Sequence, residues 1–97
     1  MNKKAIKVAE LMGLLANENR LLILCALLDK AMTVSEISKV VSDISTPALS
    51  QHLHKLTNAG LITYEKEAQY SRYKIADPRL YKLMALVQEE YCKGEIL

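Results

Sequence analysis

Hydrophobic residues recur at helical spacing along most of the chain, and the pattern predicts five helices with a short β-hairpin before the last one. The first helix is predicted from Lys4 to Ala16. Asn17 can cap a second helix that runs to about Leu28. Because this second helix is apolar on every side between residues 21 and 28, we expect it to be the central buried element.

Two shorter helices are predicted next. Thr33, with Glu36 three residues later, forms a capping box at the start of the third helix. Ser45 can cap the fourth helix, which has Pro47 in its first turn and ends at Gly60, a residue suited to a left-handed cap. The predicted inward residues are Ile37, Val40 and Val41 in the third helix and Leu49, Leu53 and Leu56 in the fourth.

After Gly60 the hydrophobic period changes from about 3.6 residues to about 2, which predicts two strands at 61–64 and 71–75 with a polar bend at 67–69. Asp77 and Pro78 begin a last helix that should finish before Gly94. Its apolar stripe comprises Leu80, Leu83, Met84, Val87 and Tyr91. Because no repeat, linker or low-complexity segment interrupts the pattern, residues 1–97 are predicted to form a single, mainly α-helical domain with a β-hairpin.

The length and composition of the chain limit how it can be stabilised. A domain of 97 residues removes only a modest share of its surface from water when it folds alone, so a partner subunit would help it. Apolar residues make up 51% of the chain, but the only aromatic residues are five tyrosines, so leucine and isoleucine must supply most of the core. The net charge of +2 is too small to indicate nucleic-acid binding by itself.

The sequence also indicates a compartment and a redox state. No run of about 18 apolar residues is present, and the N-terminal segment is amphipathic, which predicts a cytoplasmic protein with no membrane partner. Cys25 and Cys92 lie far apart in the sequence, which excludes a cysteine-rich metal finger and a disulfide-stapled scaffold. In a reducing cytosol both should rest as thiols.

Two short helices joined by a tight turn and followed by a hairpin have the order of a winged helix-turn-helix, whose second helix enters the major groove of DNA. On that helix Gln51 could hydrogen-bond adenine, and Lys55 could meet a phosphate. The hairpin carries Lys74 and two further basic residues near its bend, where a wing can rest on the flanking backbone or minor groove. The predicted DNA-contact residues are Ser45, Thr46, Ala48, Ser50, Gln51, His54, Lys55, Lys66 and Arg72.

Two other function classes compete with DNA binding. Any exposed helix shows serine, glutamine and lysine, so the fourth helix could instead meet a protein partner. Such a face would favour large apolar or aromatic anchors, which Thr46, Ser50, Gln51 and Lys55 do not supply. An enzyme finds little support, because the sequence has no glycine-rich phosphate loop, no evident pair of carboxylates and no Cys-His pair with an obvious geometry.

Several stretches resemble the ArsR/SmtB family of bacterial winged-helix regulators, and the likeness extends over nearly all of the chain. They are residues 15–24, residues 45–56, and residues 60–62 together with 73–78. The resemblance implies a homodimer joined through its first and last helices. We expect a repressor on a two-fold double-stranded DNA operator, with half-sites about one helical turn apart, as a dimer of helix-turn-helix units requires. The sign of regulation, repression or activation, stays open.

Many members of that family bind metals, but their common sites are not matched. The positions of the family's cysteine pair look like Thr33 and Ser35, and the last helix has Asp77 but no histidine. The two histidines, His52 and His54, point about 200° apart on one helix and cannot share an ion. No metal or other cofactor is predicted. We expect His52 to be a half-buried packing residue, with a contact role left open, and His54 to face outward.

One branch of the family resembles the sulfide- and persulfide-responsive repressors and the haemolysin-gene activator, and its members have two cysteines. Cys25 and Cys92 match the positions of those two cysteines. The resemblance implies that reactive sulfur species or oxidants link the two thiols within a subunit and change DNA affinity. The residues alone favour core packing for Cys25, because burial in an apolar run raises a thiol pKa and lowers its reactivity. The choice between a disulfide, a polysulfide and no link stays open.

Overall fold

The computed structural model describes residues 2–93 and residue 95, and these residues form five helices and three strands. The helices are α1 (Lys3–Leu15), α2 (Glu18–Asp29), α3 (Val34–Val40), α4 (Thr46–Asn58) and α5 (Arg79–Tyr91). The strands are β1 (Met32–Thr33), β2 (Ile62–Glu67) and β3 (Tyr70–Ile75). All five predicted helices are confirmed, with ends close to those predicted.

The helix starts are set by the capping residues that the sequence indicates. The side-chain oxygen of Asn17 accepts a hydrogen bond from the backbone N–H of Arg20 at 3.0 Å. Ser45 Oγ accepts one from the first turn of α4 at 3.2 Å. Thr33 and Glu36 form the complete capping box, with hydrogen bonds of 3.2 and 2.9 Å. Each such cap stabilises its helix by about 0.5–2 kcal/mol.

The predicted hairpin is present, but β1 adds a third strand that the sequence did not indicate. The antiparallel sheet has the order β1-β3-β2, with Met32 opposite Tyr73. A strand of two residues is too short to show an alternating pattern, so its pairing with β3 could not be predicted. The hairpin strands are also longer than predicted, since Glu67 belongs to β2 and not to the bend, while Leu61 precedes β2. The turn consists of Ala68 and Gln69 alone.

The core is built around α2. Ile23 and Leu24 have no exposed surface, and Leu27 keeps 2%. The other elements cover this stripe with Met32, Ile37, Val41, Leu49, Leu53, Leu56, Leu61, Ile62 and Leu80. Burying each large aliphatic side chain contributes about 1.5–3 kcal/mol. The prediction of a central α2 is confirmed for its inner side, whereas Leu22 and Cys25 on its other side are only half-buried.

Two apolar positions are more exposed than the helical pattern predicts. Val40 is 39% exposed, because α3 has only seven residues and turns just Ile37 and its C-cap residue Val41 inward. The prediction that Val40 is buried is therefore wrong. The apolar stripe of α5 is buried near its start, but Tyr91 at its end is 85% exposed.

α1 and α2 meet at a corner of 91°. The backbone N–H of Ala16 donates to the carbonyl of Met12 at 2.9 Å, and Asn17 then caps α2, so the chain turns without leaving the start of α2 uncapped. Among the described residues no single helix is long and apolar enough to cross a bilayer. Among these residues, α1 and α2 reach the required length and hydropathy only when the two helices are counted together.

The turn between β2 and β3 predicts a stabilising substitution. Ala68 has a φ of 56°, a left-handed value that costs a non-glycine residue about 1–2 kcal/mol. After the larger entropy of the unfolded glycine chain is subtracted, we expect Ala68→Gly to raise the free energy of unfolding by about 0.5–1 kcal/mol in urea denaturation. Gln69→Gly is the control, since φ at Gln69 is not positive. An equal gain in the control would contradict this explanation.

Candidate nucleic-acid interface and cysteine pair

The outward side of α4 is polar because its apolar residues are anchored in the core. Leu49 and Leu53 keep 2% of their surface and Leu56 keeps none. The opposite side, which we term the α4 outer face, comprises the exposed residues Ser45, Thr46, Ser50, Gln51, His54 and Lys55, together with half-buried Ala48. The structure thus brings together all seven residues predicted for this helix and its cap. Hydroxyl, amide, imidazole and ammonium groups of this kind read base edges and phosphates in a major groove.

A cavity of about 320 Å³ separates α4 from the hairpin. On its α4 side the amide of Asn58 donates to Nε2 of His54 at 2.9 Å. On its hairpin side the rings of Tyr64 and Tyr73 lie with centroids 5.2 Å apart at an angle of 43°. Burial raises the pKa of the Tyr73 hydroxyl. The sequence did not reveal this tyrosine pair, because it depends on the strand register that places the two residues opposite each other.

The three basic residues of the hairpin lie on two different faces of the sheet. Lys66 shares a face with Tyr64 and Tyr73, which is the face toward α4. Arg72 and Lys74 lie on the opposite face. From the sequence alone the three residues could not be assigned to different faces of the sheet, because that assignment depends on the strand register.

Arg72 and Lys74 are already engaged with carboxylates. Arg72 lies 3.3 Å from Glu67 and 3.4 Å from Glu36. Lys74 donates to Glu65 at 2.6 Å, and this hydrogen bond lowers the pKa of the Glu65 carboxyl group. Water screens exposed ion pairs, which therefore contribute little to stability, so they orient these side chains without locking them. Lys66 makes no ion pair with any residue that the structure describes.

Cys25 and Cys92 come into the same region of the fold. Cys25 lies on α2, Cys92 caps the end of α5, and both are half-buried. Gln88, one turn before Cys92, directs its Nε2 at Cys25 Sγ across 3.9 Å. Burial raises the pKa of the Cys25 thiol, the hydrogen bond from Gln88 opposes the rise, and the charge of Cys92 adds to it. Both cysteines thus lie near the contact that Gln88 makes between α5 and α2.

The effect of burial on Cys25 was predicted from the sequence, but the contact with Gln88 was not. The one available signal was its spacing, since Gln88 stands four residues before Cys92 on the predicted last helix. Whether its amide meets a sulfur atom depends on how α5 packs on α2, which is a tertiary property.

Cys25 is open to solvent through a groove of about 560 Å³. The walls are mostly apolar and are formed by Leu22, Ala26, Leu28, Met32 and Val40, with Asp29, Lys30 and Gln88 completing the lining. The unexpected exposure of Val40 places it in this wall. A small reagent can reach the Cys25 thiol through this groove. It could not do so if Cys25 were fully buried in the core.

The two histidines have separate partners. His52 is half-buried, and its Nδ1 lies 3.4 Å from Nη1 of Arg20, whereas His54 is exposed beside Asn58. These placements agree with the expected half-buried and outward positions. Within the described part of the chain, no three His, Cys, Asp or Glu side chains are grouped so that they could hold a metal ion.

Comparison with known proteins decides the family. The family model described as "Bacterial regulatory protein, arsR family" matches residues 17–64, which include α2, α3 and α4. Over 94 residues the chain is 39% identical to the transcriptional activator HlyU of Vibrio cholerae, an alignment that covers 97% of this chain and 86% of HlyU. The chain belongs to the ArsR family.

Further relatives of this ArsR-family chain agree in sequence and fold. It is 33% identical over 95 residues to a biofilm growth-associated repressor of Agrobacterium fabrum, covering 98% of the chain and 80% of the repressor. The structure of reduced HlyU from Vibrio cholerae matches with a TM-score of 0.83 and 39% identity, covering 93% of this chain and 94% of that one. A homodimeric winged helix-turn-helix DNA-binding domain from Mycobacterium bovis matches with a TM-score of 0.76 and 28% identity, covering 98% and 93%.

These findings confirm the predicted fold and the general function. The ArsR-family chain has the winged helix-turn-helix fold, in which α3 and α4 form the helix-turn-helix and β2 and β3 form the wing. It is a DNA-binding transcriptional regulator, and its relatives are regulators and not enzymes.

Proposed function

We propose that this ArsR-family regulator is a cytoplasmic, homodimeric repressor of a two-fold double-stranded DNA operator, and that reactive sulfur species or oxidants control its DNA affinity through Cys25 and Cys92. The observation that carries the thiol part is the meeting of α2 and α5 at these cysteines beside Gln88. The relatives support it in two respects. HlyU has a structure described as reduced, and the Agrobacterium fabrum relative is named a repressor.

The first and last helices are suited to join two subunits. α1 buries none of its residues in the single chain. Val8 and Met12 of α1 are 53% and 47% exposed, and Leu86 and Tyr91 of α5 are 59% and 85% exposed. Covering apolar surface gains about 25 cal/mol per Å², so a dimer through these helices would supply burial that a short domain lacks. The Mycobacterium bovis domain, which is homodimeric, supports dimerisation as such.

In the dimer each subunit would place its α4 outer face in a major groove, with the two helices about one turn of DNA apart. Ser50, Gln51 and His54 stand in the middle of that face, where side chains reach base edges. Ser45, Thr46 and Ala48 at the helix start would meet the phosphate backbone, together with Lys55. In the wing we assign the phosphate contact first to Lys66, which lies on the α4 side, and then to Arg72 at the flank.

The proposed sulfur chemistry balances with a persulfide as the reagent. The Cys25 thiolate attacks the terminal sulfur of R–S–SH, which gives the Cys25 persulfide and releases the thiol R–SH. The Cys92 thiolate then attacks the inner sulfur of that persulfide, which gives a disulfide and releases hydrogen sulfide. When both cysteines become persulfides first, loss of one hydrogen sulfide gives a trisulfide. Each added sulfur extends the reach by about 2 Å, so the separation of the thiols selects the product.

A bridge of this kind would couple the thiols to DNA. It joins α5, a proposed dimer helix, to α2, against which α4 packs. The separation of the two α4 helices in a dimer depends on how α5 sits on each subunit. A change at this contact therefore alters the fit to two half-sites of fixed spacing.

The thiol control is tested with Cys25→Ser and Cys92→Ser. The probe is a labelled duplex from the region upstream of the protein's own gene, and the readout is fluorescence anisotropy. We expect reduced wild-type protein to bind, and treatment with a persulfide donor to weaken binding by about 5- to 150-fold, the range of common coupling energies. Both serine variants should bind equally before and after treatment.

Peroxide in place of persulfide distinguishes sulfur transfer from general oxidation. No binding by the reduced wild-type protein at low salt would refute the DNA part of the proposal. An undiminished response in either serine variant would refute the thiol part.

The orientation of the wing is tested with a matched pair of substitutions. Lys66→Gln should reduce the slope of log affinity against log salt by about 0.9 for each subunit, because one phosphate contact is lost. Lys74→Gln removes the same charge from the opposite sheet face, where Lys74 is paired with Glu65. We expect its slope to remain close to the wild-type value. Equal slopes for the two variants would show that the wing does not meet DNA by its α4 side.

A further inference from the structure

Arg20, in the first turn of α2, lies in the corner between α1 and α2 and contacts the end of α1. Its Nε donates to the carbonyl oxygen of Leu14 at 2.6 Å, and its Nη2 donates to that of Gly13 at 3.3 Å. Carbonyls in the last turn of a helix have no donor within the helix. A cation at that position also meets the negative end of the helix dipole. Arg20, which belongs to α2, therefore closes the end of α1.

The remaining nitrogen of the same guanidinium faces α4. Arg20 Nη1 lies 3.4 Å from Nδ1 of His52, and both groups are partly buried. A guanidinium has donors and no acceptor, so this contact is a hydrogen bond only when Nδ1 accepts, which requires a neutral imidazole with its proton on Nε2. One side chain thus joins the end of α1, the start of α2 and the helix that carries the DNA-contact residues.

The surroundings of His52 disfavour its protonation. The charged groups that act on it, among the described residues, are Arg20 from α2 and Lys55 from its own helix, while α1 contributes only carbonyl oxygens at Arg20. Burial, Arg20 and Lys55 all lower the pKa of His52 from its ordinary value of 6.5. Because folding lowers this pKa, stability from neutral His52 is complete above pH 6.5 and is lost as the pH falls toward the lowered pKa.

We propose that Arg20 and His52 are positioning residues for DNA binding, which hold α4 against the corner of α1 and α2 and release it when His52 takes up a proton. A proton on Nδ1 would set a donor against a donor and a positive charge against the guanidinium. The contact exists only with neutral imidazole. Acid therefore weakens the contact that holds α4 against α1 and α2. Because Arg20 binds both α1 and α4, a movement at the end of α1 would also shift α4.

The contact itself is tested without DNA by NMR titration of the two imidazoles. His52 should titrate below 6.5 in the wild-type protein and at a higher pH in Arg20→Gln, because one cationic neighbour has been removed. His54, which Arg20 does not contact, is the internal reference. An unchanged His52 titration in a folded Arg20→Gln protein would overturn the proposal.

The effect on DNA is tested with His52→Asn, whose side-chain oxygen can accept from Arg20 but does not titrate. Reduced protein is measured on the duplex from upstream of its own gene. Between about pH 7.5 and about pH 5, we expect the DNA affinity of the wild type to fall about three- to tenfold more than that of His52→Asn. This difference corresponds to the loss of one charge-assisted hydrogen bond. His52→Ala, which can neither accept the hydrogen bond nor titrate, should bind the duplex about three- to tenfold more weakly than the wild type already at about pH 7.5.

An acid loss in His52→Asn as large as in the wild type would overturn the proposal, and so would wild-type affinity in His52→Ala at about pH 7.5. This comparison decides the matter alone if Arg20→Gln does not fold. Repeating it in the Cys25→Ser, Cys92→Ser double variant separates it from thiol control, since the pH effect should persist there. If the duplex is not bound at all, the NMR titration still decides whether Arg20 and His52 interact.

Discussion

Helix α2 buries Ile23, Leu24 and Leu27 beneath the other elements of the fold, and this burial determines where its remaining side chains point. A helix held in this way cannot rotate without exposing side chains whose burial is worth about 1.5–3 kcal/mol each. Arg20 at its start is thereby directed at α1 and α4, and Cys25 in its middle is directed at Gln88 of α5. Helix α4 and the contact between Cys25 and Gln88 are thus positioned by the same buried stripe.

Local signals were sufficient to predict the helices. Asn17, Thr33 and Ser45 act as caps through hydrogen bonds to residues three positions away, and the apolar period acts within each helix. Strand β1 could not be predicted because it exists only through pairing with β3, far along the chain. The exposure of Val40 has a similar origin, since it depends on where a short helix ends.

The candidate site was predicted in its composition better than in its arrangement. The residues of the α4 outer face that lie within the helix follow from the helical period once Leu49 and Leu53 are placed inward, and Ser45 follows from its role as the N-cap. The wing depends instead on strand register, which puts Lys66 on one face and Arg72 on the other. The contact of Gln88 with Cys25 depends on packing between α5 and α2.

The proposed sulfur-responsive pair of Cys25 and Cys92 within one subunit can be tested directly by isotope mixing. Unlabelled and heavy-isotope-labelled protein are mixed, allowed to exchange subunits, treated with a persulfide donor and digested for mass spectrometry. We expect linked Cys25 and Cys92 peptides that carry the same isotope, with a mass that distinguishes a disulfide from a trisulfide. Linked peptides of mixed isotope, or no linked peptides at all, would contradict a sulfur-responsive pair within one subunit.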